Sequence, residues 1–139
     1  MKKYVFFIMV LFFCIKSVYA DSVLTIKIQN VIVNDGTIYV SVFYSEQGFK
    51  NKKADMVFPI DPTNSIIHHK LTLAKGEYGI SIHQDVNGNE EMDYGLFGIP
   101  KEPYGFSNMK GKVPPKNFDT LKIIMDNSNK EIVIPFVSF

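Results

Sequence analysis

VLTIKIQNVIVNDGTIYVSVFY, residues Val23 to Tyr44, is written largely in a period of two. Leu24, Ile26 and Ile28 alternate with Thr25, Lys27 and Gln29, and after Asn34-Asp35-Gly36 the alternation resumes with Ile38, Val40 and Val42. Successive side chains of a strand point to opposite faces, so this pattern describes two strands, each with one apolar and one polar face. The Asn-Asp-Gly between them is turn chemistry of the hairpin kind, and the pair is predicted to form a β-hairpin.

The same period recurs downstream. Met56 to Ile60 is short and contains Pro59, which cannot donate to a ladder and marks an edge strand. Ser65 to Leu73 aligns Ile67, His69, Leu71 and Leu73, and Glu77 to Gln84 aligns Tyr78, Ile80 and Ile82. Leu121 to Asp126 and Glu131 to Val137 suggest a second hairpin around Asn127-Ser128-Asn129-Lys130. Ser45 to Asp55 is a polar connection in which Phe49 can reach the core. No segment after residue 20 carries a three-turn amphipathic helix. About seven short strands with intervening turns predict an all-β fold, an antiparallel immunoglobulin-like β-sandwich with one long functional loop.

Upstream of the first strand, Lys2 and Lys3 precede an apolar run from Tyr4 to Ile15, and Val18-Tyr19-Ala20 closes the segment. This is the layout of a cleaved signal peptide over 1–20, leaving a single domain over 21–139. The run of about a dozen residues is shorter than the roughly 20 that a spanning helix needs, so no membrane span is expected after cleavage. Export to the periplasm or the medium follows. Cys14, preceded by the bulky Phe12 and Phe13, is a poor lipidation site, and its removal leaves no cysteine for a disulfide or a thiol nucleophile. Removing Lys2, Lys3 and Lys16 also leaves 12 lysines against 14 acids, a net −2 with no arginine. Such a balance provides no broad basic field for nucleic acid, and the groups Lys50, Lys52, Lys53 and Lys110, Lys112, Lys116 are expected to be solvated surface.

The strand ending at Gln84 runs directly into DVNGNEEMDYGLFGIPKEPYGFSN, Asp85 to Asn108. Oxygen-bearing side chains occupy every second position of its start: Asp85, Asn87, Asn89, Glu91 and Asp93. Ca²⁺ takes six to eight oxygen ligands, and this spacing follows an EF-hand loop through positions one, three and five. Glu90 stands where that loop has its turn glycine, and Leu96 where it has its bidentate acid. Two readings therefore stand. The five residues bind calcium weakly, in the range of about 10⁻⁴ to 10⁻³ M typical of extracellular modules, or they build a metal-free turn through local hydrogen bonds. The glycine-rich segment behind them brings Tyr94, Phe97, Lys101, Glu102, Tyr104 and Phe106 as candidates for a partner surface, or as an aromatic cap over the sandwich.

These residues resemble the signature of the bacterial domain of unknown function family 2141. The likeness rests on a strand ending in an aspartate-asparagine loop, followed by Gly98, Pro100, Lys101, Glu102, Tyr104, Gly105, Phe106, Ser107 and Asn108. Gln84 and Glu90 stand where the family's loop usually has histidine and glycine. The resemblance implies an exported, single-domain, β-rich protein and no particular activity.

No nucleophile elbow, zincin helix or phosphate-cradling loop occurs. His68 and His69 are adjacent on a strand and point apart, which leaves at most a loose zinc site with His83. The expectation is a non-catalytic exported domain that binds a protein or glycan partner in the cell envelope. The alternative is a cell-envelope carbohydrate hydrolase using the acids Glu90, Glu91, Asp93 and Glu102.

Overall fold

The computed structural model describes residues 21–139, so the expected signal segment, 1–20, lies outside the described residues. Eight strands form two sheets: β1 (Ser22–Gln29), β2 (Thr37–Phe43), β3 (Met56–Ile60), β4 (Ile66–Leu73), β5 (Gly76–Asp85), β6 (Tyr104–Phe106), β7 (Ile123–Met125) and β8 (Lys130–Pro135). The first sheet has the order β4-β1-β8, with β4 antiparallel and β8 parallel to β1. The second has the order β3-β2-β5-β6, all antiparallel, and β7 pairs with the start of β5.

The alternation seen in the sequence is the burial pattern. Leu24, Ile26 and Ile28 of β1, Leu71 and Leu73 of β4 and Ile134 of β8 meet Ile38, Val40 and Val42 of β2 and Ile80 and Ile82 of β5 in one core. Each fully buried aliphatic side chain stabilises the fold by about 1.5–3 kcal/mol, so the shared core holds the two sheets together. The sheets are also stitched at one end: Tyr104 and Val137 exchange backbone hydrogen bonds of 3.1 and 2.9 Å. β3 pairs only with β2, and Pro59 lies on this edge strand as expected.

Both expected hairpins are corrected. β1 and β2 lie in different sheets, and Asn30 to Gly36 carries the chain across the core. Asn30, Asn34 and Gly36 adopt left-handed φ of 59°, 59° and 63°, and the crossing bonds to other segments, Val31 N–H to Ser65 O and Asn34 N–H to Pro62 O. A period of two assigns faces but not neighbours, and strands facing each other across a core satisfy it as well as strands side by side. β7 and β8 part in the same way: β7 joins β5, and β8 lies parallel to β1. Leu121, expected in a strand, ends the short helix α2 (Phe118–Leu121), which Asn117 caps by accepting from Thr120 N–H at 3.2 Å. A second short helix, α1 (Glu46–Lys50), lies within the expected connection, where Phe49 packs edge-on to Phe43 and Phe106.

Candidate functional site

Asp85 is the last residue of β5 and only 1% exposed. Its carboxylate accepts from the backbone N–H groups of Gly88 (2.8 Å), Asn89 (3.3 Å) and Glu90 (2.8 Å). Three donors converge because the loop bends twice through left-handed backbone, at Gly88 (φ 75°) and Glu90 (φ 64°). Glu90 thus adopts the conformation that a glycine would otherwise supply at that position. Burial acts to raise the Asp85 pKa, but the three N–H bonds, with a smaller contribution from His83, outweigh it and hold the carboxyl below its ordinary range.

The asparagine oxygens and Asp93 of the loop are also engaged locally. Asn87 and Asn89 each accept from the N–H two residues on, at 3.2 and 3.0 Å, and both amides donate to Asp93 Oδ2. Among the described residues no group of three His, Cys, Asp or Glu is placed to hold a metal ion. The loop therefore presents no converging set of oxygens to a cation as it stands: Asn87 and Asn89 turn their amide N–H groups to Asp93 and their oxygens to backbone N–H groups, Asp85 is turned toward N–H groups and Glu91 is exposed. His69 and His83 lie on different strands, and their buried Nε2 atoms have no hydrogen-bond partner among the described residues.

Glu102 is 3% exposed and joins the two ends of this loop. Its Oε1 accepts from Val86 N–H (3.0 Å) and its Oε2 from Asp93 N–H (3.3 Å). Beneath it, Gln84 is fully buried: it accepts from Ile32 N–H at 3.0 Å and donates to Ile32 O and Asp35 O at 2.6 Å each, tying the first crossing to β5. Gly36 closes the contact, since a Cβ there would lie 1.9 Å from Asp85 O. His83 stacks on Tyr39 with ring centroids 5.1 Å apart; burial pushes its pKa down, against the opposing pull of Glu102 and Asp85.

Beyond Asp93 the chain changes character. Tyr94 and Pro100 bridge, Gly95 N–H donates to Ile99 O at 2.7 Å, and Leu96–Gly98 makes a single 3-10 turn. Phe97 sits at φ 62° and is 98% exposed; Leu96 beside it is 82% exposed. Lys52 Nζ lies 4.3 Å from the centre of the Tyr94 ring. The return strand is interior again. Tyr104 is buried with its hydroxyl donating to Lys112 O, Phe106 is half-buried, and Ser107 Oγ accepts from Ile80 N–H at 3.0 Å.

The expected partner surface is thus divided. Tyr94, Phe97 and Lys101 are exposed, whereas Glu102 and Tyr104 are buried and Phe106 packs against Phe49 and Tyr104, so these three hold the loop in place. Sequence reasoning missed Leu96, Gln84 and Gly36 as parts of the site. Gln84 had a signal, because it continues the inward phase of Tyr78, Ile80 and Ile82.

No curated protein and no solved structure matches the chain. The model of the family described as "Uncharacterized protein conserved in bacteria (DUF2141)" matches residues 26–133, and the chain belongs to that family.

Proposed function

We propose that this is an exported, non-catalytic binding domain of immunoglobulin-like sandwich architecture that docks to a protein or glycan partner in the cell envelope through the apex Tyr94 to Ile99. The observation that carries the reading is the exposure of Phe97 on left-handed backbone, above a base fixed by two buried carboxylates. A large apolar side chain held in solvent against its backbone preference is costly unless something covers it. Of the acids of the alternative hydrolase, Glu102 and Asp93 Oδ2 accept N–H groups of the loop, while Glu90 and Glu91 stand exposed to solvent, where no burial raises a carboxyl into the general-acid role.

Calcium enters this reading as an auxiliary ligand. Asn87 and Asn89 donate their amide N–H groups to Asp93, so an ion beside Asp93 would require both amides to turn their oxygens inward; it would bind in the range of about 10⁻⁴ to 10⁻³ M and stiffen a loop that hydrogen bonds already define.

The test is retention of the labelled domain on envelope preparations. Phe97→Asp and Leu96→Asp are expected to abolish retention, while Val133→Asp, at an exposed position of β8, leaves it intact. Equal retention of the native chain and both apex variants would overturn the proposal.

A further inference from the structure

Around the apex the surface is layered. At the tip stand Leu96 and Phe97, then the partly exposed Tyr94 and Ile99, then two lysines: Lys52, whose Nζ is 4.3 Å from the Tyr94 ring centre, and Lys101, whose side chain lies within 3.5 Å of where a Gly95 Cβ would be. From Tyr94 to Pro100 the chain, YGLFGIP, has no charged side chain. Its exposed members, Tyr94, Leu96, Phe97, Gly98 and Ile99, are aromatic, aliphatic or glycine. The backbone of the turn is partly closed on itself. Gly95, Gly98 and Ile99 spend their N–H groups within the turn, at 2.7, 3.3 and 3.4 Å, and Pro100 has none. The Leu96 and Phe97 N–H groups have no partner among the described residues, which confines the backbone itself to hydrated surroundings and leaves only the side chains able to reach hydrocarbon.

We propose that the apex inserts into the headgroup–acyl boundary of an anionic phospholipid bilayer, with Leu96 and Phe97 in the acyl region, Tyr94 at the interface and Lys52 and Lys101 on lipid phosphates. This rests on the reading of Tyr94 to Ile99 as the docking element and puts lipid in the place of its protein or glycan partner. Amphipathic aromatics settle at that interface and lysines extend their ammonium groups toward the headgroups. Glu90 and Glu91 are exposed at the loop's base and set a limit to the depth of entry. Two apolar side chains and two lysines give weak, reversible association, on the order of the 10⁴ M⁻¹ of a single myristoyl chain.

Residues 21–139 contain both sheets and their shared core and are the form to use, once cooperative unfolding has been verified. The chain has no tryptophan, so Phe97→Trp provides a single reporter at the tip. With vesicles of phosphatidylcholine containing about 30% phosphatidylglycerol, the indole emission is expected to shift to the blue and the protein to co-sediment. Phe97→Asp should lower the partition at least tenfold, an effect that high salt does not reproduce. Lys52→Gln with Lys101→Gln should lower it only on the anionic vesicles and remove its salt dependence. An unshifted indole and no co-sedimentation on any vesicle overturn the inference. If envelope retention is still lost on Phe97→Asp in that case, the docking reading stands with a protein or glycan partner; if retention is unchanged, both fall.

Discussion

The base and the apex of one loop, Asp85 and Glu102 against Tyr94 to Ile99, use opposite chemistry within a few residues of each other. At the base, two buried carboxylates accept five backbone N–H bonds, so charge is placed inside and spent on holding shape. At the apex, the largest apolar side chains face solvent and one of them adopts a left-handed backbone. A charge-assisted bond to a buried acceptor contributes to folding, whereas an exposed phenylalanine does not. The difference separates what the loop needs in order to exist from what the proposed docking would use.

The sharpest way to break the base is Gly36→Ala. The new Cβ would meet Asp85 O at 1.9 Å on a φ of 63°, so the crossing and the loop base must separate. A loss of about 3 to 4 kcal/mol is expected, read as a thermal midpoint lower by more than 10 °C, on the order of 4 °C per kcal/mol. Asp85→Ala leaves three N–H groups without their acceptor and should cost about 3 kcal/mol. Glu102→Gln keeps the shape but turns an amide toward one of two N–H donors, at about 1–2 kcal/mol. All three are measured by denaturant or thermal unfolding, and small values would place the loop's order elsewhere.

Acid sharpens the comparison further. Burial holds His83 and His69 below the usual 6.5, so the unfolded chain takes up protons first as pH falls. Stability from these groups is present above about pH 6.5 and declines below it, and His83→Gln should flatten part of that decline. Asp85, also held below its usual 3.8, contributes above that value and loses its contribution only at lower pH. At the other extreme, Phe97→Asp should leave the unfolding midpoint within about 0.5 kcal/mol of native, since its side chain is 98% exposed.

What was legible in the chain follows the same division. The alternation in β1, β2 and β5 predicted which side chains are buried, because faces are set by local geometry. Strand partners were not legible: Asn34-Asp35-Gly36 suits a two-residue turn, yet the chain leaves β1 at Gln29 and spends Asn30 to Gly36 crossing between sheets. The aspartate-asparagine loop was visible as a site, but oxygen-rich turns and cation loops draw on the same residues, and only coordinates show Asp85 facing N–H groups. Glu102 was misplaced on the surface because an acid following Lys101 reads as solvated, and its two N–H partners, Val86 and Asp93, are far from it in sequence.

Backbone N–H bonds to Asp85 and Glu102 hold the base of the loop that lifts Phe97 into solvent. Amide hydrogen exchange of residues 21–139 in EDTA tests it most directly, read at Val86, Gly88, Glu90 and Asp93. These four amides are expected to exchange slowly, close to the β5 amides that precede them, and the exposed Phe97 amide to exchange fast. Fast exchange at all four in EDTA, with protection returning on addition of calcium, would contradict it and make the loop an ion-dependent structure.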